Sequence, residues 1–170
     1  MDSKHSPVWL IRAGSKSEAD CLLLKSRVLA LGPAEVGDVS GLAEREAYRR
    51  KFRIAFPNAT ATSIGGGAGQ LFRFVNEAKV NDVVVYPAKV DGTLHVGLIA
   101  GAYQYDQSKD ARYPHQRKVR WVGSVKRTEM SEEFLSEARA FKSFYSIAKC
   151  EREVLDLLVQ FEKKPIGKKG

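Results

Sequence analysis

The chain has 170 residues, of which 44% are hydrophobic and 28% charged, enough to bury a core without disulfide or metal staples. Its formal net charge is +8 and its pI about 9.5, a balance that favours a polyanionic partner. No apolar run approaches the roughly 20 residues of a membrane helix, and the opening MDSKHSPVW lacks a signal-peptide core, so a cytoplasmic protein is predicted.

Val8–Gly14, VWLIRAG, reads as a buried strand closed by a glycine. SKSEADCLLLKS follows as a short helix or turn, and RVLALG, Arg27–Gly32, as a second strand stopped by Gly32-Pro33. Ser40 is expected to cap a helix running to Phe56, ahead of Pro57 and Asn58. In Thr62–Lys79, Leu71, Phe72, Val75 and Ala78 fall at helical spacing, with the glycines before and in the first turn. Asp82–Lys89 and Thr93–Tyr105 read as strands joined by an Asp91-Gly92 hairpin turn.

Arg117–Arg127 alternates, with Val119, Trp121, Gly123 and Val125 on one side and Lys118, Arg120, Val122 and Ser124 on the other. Ser131–Phe141 and Lys149–Phe161 have the pattern of acidic amphipathic helices. The fold expected is α+β, a small curved mixed β-barrel closed by five strands and flanked by helices. One domain over residues 1–161 is expected, with 162–170 as a basic tail or linker.

The charge is unevenly placed. Lys109–Arg127 holds seven basic residues and one acid, whereas Thr128–Phe161 holds seven acids and four bases. One basic face follows. Lys118 and Arg120 are expected to face solvent and contact phosphates, with Lys89, Arg112 and Arg117 beside them. Trp121 is expected in the core. Ser63–Gln70, SIGGGAGQ, lacks the G-K-[ST] of a P-loop, and its glycines read either as a flexible turn or as a close backbone approach to an anion. Asp38 reads as a cap or as a buried acceptor for an amino group on a base.

Catalytic groupings are missing. Glu77-Ala78-Lys79 with Asp82 has the look of a nuclease E-x-K but lacks an acid on a preceding strand. Cys21, Cys150 and the three histidines have no metal-ligand spacing. A non-enzymatic module without metal or cofactor is expected.

VWLIRAG, LGPAEVGDVS, GAGQLFRFVNEAKVNDVVVYP and HVGLIAGAYQYDQSKDARYPHQRKVRWV together resemble, in order, the N-terminal domain found before Mrr-type restriction endonucleases. That domain is similar to the PUA-like superfamily of EVE, YTH and SRA-like readers. The resemblance covers Val8 to Leu158 and is strongest in Gly-x-Tyr-x-Tyr…His-x-Arg-x-Val-x-Trp, Gly101–Trp121. It implies a PUA-like barrel that takes a flipped, modified base into a pocket of its wall. Carried onto this sequence, the pocket is Gly14, Ser15, Lys16, Ser17, Leu31, Gly32, Pro33, Asp38, Gly67 and Gln70. Pro33 stands where many relatives carry tryptophan, so either Tyr86 or Tyr103 supplies the stacking face or the ligand differs.

The expected function is recognition of a modified base in DNA, a modified cytosine or N6-methyladenine, within a modification-dependent restriction or defence protein whose nuclease lies outside this chain. The alternatives are an RNA-binding PUA-like module and a nucleotide sensor using the same pocket.

Overall fold

The computed structural model describes residues 6–14 and 18–163. Ser15, Lys16, Ser17 and most of the basic tail lie outside the described residues.

Among the described residues, seven strands form one mixed sheet. They are β1 (Val8–Ile11), β2 (Val28–Leu31), β3 (Val83–Pro87), β4 (Thr93–Ile99), β5 (Gln104–Tyr105), β6 (His115–Lys126) and β7 (Phe144–Ile147). The order is β2-β6-β4-β3-β1-β7, with β5 also paired to β6. The sheet curls into a half-barrel with helices against it, an α+β architecture. β1 and β3 run parallel, and the chain between them carries α1 (Asp20–Leu24), α2 (Arg45–Ala55) and α3 (Ala61–Phe72). A parallel pair needs such a crossover. α4 (Glu132–Glu137) and α5 (Glu151–Lys163) follow β6.

Both faces of the sheet are covered. Trp9, Ile11, Leu29, Val84, Ile99 and Val119 pack with α1, α2 and α3, while Val8, Leu10, Val83, Val85, Leu94 and Val96 pack with α4 and α5. The unbroken apolar runs of β1 and β3 are the sequence form of strands buried on two sides.

Several boundaries differ from expectation for physical reasons. Ser40 does not cap α2: Asp38 Oδ1 accepts from the Ser40 N–H at 2.8 Å and its hydroxyl at 2.6 Å, closing a separate turn, and α2 starts five residues later. α3 is capped by Thr60, whose hydroxyl accepts from Ser63 N–H at 3.1 Å. The glycines therefore sit inside the helix, not before it. At Gly67 an added Cβ would lie 2.6 Å from the Phe52 ring, so the glycine lets α2 and α3 approach. The long strand expected from Thr93 to Tyr105 breaks into β4 and β5.

The expected helix Ser131–Phe141 ends at Glu137, and Phe144–Ile147 pairs with β1 instead. In β6 the register jumps from Val96↔Gly123 to Gly97↔Trp121, leaving Val122 as an extra residue. Alternation reverses there. Val119 and Trp121 pack toward α1–α3, whereas Val125 packs on the α5 side and Gly123 abuts the Phe161 ring.

Candidate functional site

The ends of β1, β2 and β3, the middle of α3 and the loop before β7 meet around two adjoining clefts of about 380 and 290 Å³. Arg12, Ala13, Gly14, Gln70 and Ser143 line both. The smaller cleft adds Leu31, Gly32, Pro33, Gly67, Leu71 and Tyr113. The larger adds Asp20, Tyr86, Pro87 and Lys89, with Arg127, Phe141 and Lys142.

Of the residues expected at the pocket, Gly14, Leu31, Gly32, Pro33, Gly67, Gln70 and Tyr86 are thus brought together. Ser15, Lys16 and Ser17 are outside the described residues. Asp38 lines neither cleft. It is exposed, its carboxyl is held below the usual range by Ser40, and its carbonyl accepts from Lys51 Nζ at 2.9 Å. Its carboxyl closes the turn before α2.

The larger cleft contains a buried acid that the sequence reading passed over. Asp20, 6% exposed, accepts from the Tyr86 hydroxyl and, at 3.2 Å, from the Val90 N–H. Burial, then the bond to Asp20, pushes the Tyr86 phenol far up, so it stays a donor. Among the described residues, Arg12, Lys89, Arg127 and Lys142 line the same cavity as cations. Arg12 also holds the cleft wall together, since its Nη2 donates to Ala138 O and its backbone N–H to Ser143 O at 2.8 Å. Gln70 Oε1 accepts from the N–H groups of Ser143 and Phe144 and so clamps the start of β7 to α3.

The rim at Pro33 is fixed from behind. His115 is fully buried; its Nε2 contacts Pro33 O at 3.0 Å and its Nδ1 the Tyr103 hydroxyl at 2.8 Å. Burial pulls the imidazole down from its ordinary value, and because a carbonyl oxygen only accepts, Nε2–H is the donor to Pro33. Tyr103 stacks on that ring at 5.9 Å and also accepts from Val39 N–H at 3.4 Å. Tyr103 is therefore scaffold, and the cleft aromatics are Tyr86, Tyr113 and Phe141. Tyr113 donates to Glu18 at 3.2 Å, and Arg112 lies 5.4 Å over its ring.

The expected phosphate contacts divide. Lys118 and Arg120 are exposed on β6, and Lys89 lines the larger cleft. Arg112 forms a two-point pair with Asp110, at 3.0 and 2.8 Å. Arg117 is a correction: it is 4% exposed, and its guanidinium donates to Gly101 O at 2.9 Å, Phe74 O at 3.1 Å and Ala78 O. It shares the inward parity of Val119 and Trp121, the signal that places it inside.

Among the described residues, no group of three or more His, Cys, Asp or Glu is arranged to hold a metal ion, and no helix is long and apolar enough to cross a membrane. No curated protein matches the chain. Among solved structures it is similar to the YTH domain-containing protein mmi1 in its RNA complex, at 9% identity and a TM-score of 0.45, over 93% of this chain and 83% of that one. The model described as Domain of unknown function (DUF8426) matches residues 9–148, the stretch that holds every described residue lining the two clefts, and the chain belongs to that family.

Proposed function

We propose that the chain is a DNA-binding module that recognises a modified base, a modified cytosine or N6-methyladenine, by taking it out of the stack into the joined clefts. The observation that carries this reading is a cavity whose interior holds the buried Asp20–Tyr86 pair while Arg12, Lys89, Arg127 and Lys142 line it as well. Cations suit a phosphate backbone, and a buried carboxyl suits an exocyclic amino group. A cavity near 380 Å³ lies within the ordinary range for small ligands. Extruding a base costs a few kcal/mol, which stacking and edge hydrogen bonds recover. Tyr86, Tyr113 and Phe141 are the aromatic residues that line the clefts, and Lys118 and Arg120 extend the phosphate grip. In this reading the module is PUA-like, has no catalytic role of its own, and serves a restriction or defence protein that keeps its nuclease elsewhere.

The test is a titration at two salt concentrations. It uses matched duplexes carrying cytosine, 5-methylcytosine, 5-hydroxymethylcytosine or N6-methyladenine, with an RNA duplex and free nucleotides alongside. A gain that depends on modification and disappears in Asp20→Asn, with the melting temperature retained, is the expected result. Equal and steeply salt-dependent binding to every duplex reduces the function to a phosphate grip and refutes base recognition. Preference for the RNA duplex or for free nucleotides refutes the DNA assignment.

A further inference from the structure

Phe141 is the most exposed large apolar residue described, at 103% relative exposure, and the other exposed ones (Ile54, Val80, Val90 and Val159) are aliphatic. Single apolar side chains on a surface are ordinary. This one differs in position, because it lines the larger cleft together with Lys142, Arg127 and Arg12. The loop that carries it is tied down on both sides. Arg12 Nη2 holds Ala138 O, Arg12 N–H holds Ser143 O at 2.8 Å, Lys142 N–H closes on Ala140 O at 2.8 Å, and Gln70 takes the N–H groups of Ser143 and Phe144. The fold thus presents an aromatic ring to solvent on an anchored loop at a cation-lined opening. A ring unburied in the protein and flanked by cations fits a partner that is planar, apolar on its faces and anionic along its edge.

We propose that Phe141 stacks on a base of the bound DNA strand at the mouth of the larger cleft, beside the nucleotide that enters it. This rests on the DNA-binding reading above and adds a named contact to it. Lys142, next in the chain, lines the same cavity and is placed for the adjoining phosphate. Stacking is sequence-tolerant, so the contact contributes affinity and fixes the register of the strand without choosing the base.

The test compares wild type with Phe141→Ala, Phe141→Leu and Phe141→Trp. The probes are a short single-stranded oligodeoxynucleotide of mixed sequence and an inorganic polyphosphate chain, and melting temperatures are followed in parallel. Because the side chain is fully exposed, all four proteins should melt alike. Phe141→Ala should weaken oligonucleotide binding by roughly 5- to 150-fold, the span of one stacked base, and leave polyphosphate binding unchanged. Phe141→Trp should restore the affinity and Phe141→Leu should not. An unchanged affinity in Phe141→Ala, or full rescue by leucine, overturns the stacking assignment while DNA binding stands. Wild-type protein that binds neither probe overturns this contact, and only a failure to bind the duplex series as well overturns the DNA reading with it. Loss of modification preference in the duplex series, with the Phe141 effect intact, removes base recognition alone.

Discussion

Replacing Arg117 by methionine removes the guanidinium and keeps an unbranched stem of similar reach. In the wild-type chain that group donates to three carbonyls, Gly101 O, Phe74 O and Ala78 O, in a site 4% exposed to water. Each buried acceptor left without a donor costs about 1–3 kcal/mol. Against this stands the relief of no longer burying a cation, which burial already disfavours and nearby Asp82 only partly offsets. The net loss should be about 3–5 kcal/mol, the cost of breaking a buried charged network. For a chain of this length that is a fall in Tm of about 6–20 °C. Lys118→Ala with Arg120→Ala is the contrast. Both side chains are exposed, so stability should stay within about 0.5 kcal/mol per residue. The slope of log affinity for a DNA duplex against log salt should become shallower by about 2. Urea denaturation and salt-dependent titration read the two effects separately. If Arg117→Met were as stable as wild type and instead lost affinity, the placement of Arg117 in the core would be wrong.

The glycines of α3 should separate by position. Gly66→Ala, with nothing within 4 Å of the added Cβ, should stabilise the chain by about 0.5–1 kcal/mol, whereas Gly67→Ala, 2.6 Å from the ring of buried Phe52, should destabilise it by about 1–3 kcal/mol; thermal melts decide both. His115 is pulled below 6.5 by burial, so below that pH the unfolded chain takes a proton that the folded chain refuses. Its contribution is complete above pH 6.5 and is lost as pH falls toward the depressed folded value. Urea midpoints should drop across that window, and the drop should be smaller in His115→Gln.

Local chemistry was legible wherever one element settled its own structure. β1 and β3 are apolar runs buried on both faces, and the turn before β4 has Gly92 at φ +65° with Asp91 accepting from the Thr93 N–H at 3.0 Å. Alternation alone places Trp121 inward, where it packs against the core. The misses arose where tertiary pairing overruled the local pattern. β7 is four residues between two helical patterns, and its strand character comes from β1, which it pairs along its whole length. The reversal in β6 comes from one extra residue, Val122, which no period-2 reading can contain. Arg117 carried its own signal, since its parity matched Val119, but positive charge was read as exposure.

The cleft was harder to read than the fold because no single segment makes it. Arg12 and Gly14 follow β1, Asp20 opens α1, Gln70 lies within α3, Tyr86 ends β3, and Lys142 precedes β7. Residues separated by more than a hundred positions become neighbours only through the order β3-β1-β7. Two of them serve the architecture as well. Arg12 and Gln70 hold the loop that bears Phe141 and Lys142, so the contacts that shape the cavity also hold its aromatic and cationic mouth in place. On the side of the loop before β7 the mouth is preorganised, held by bonds to the sheet and to α3. In the proposed DNA complex little ordering would then be left to be done on binding, and more of the proposed stacking and phosphate interactions would appear as affinity.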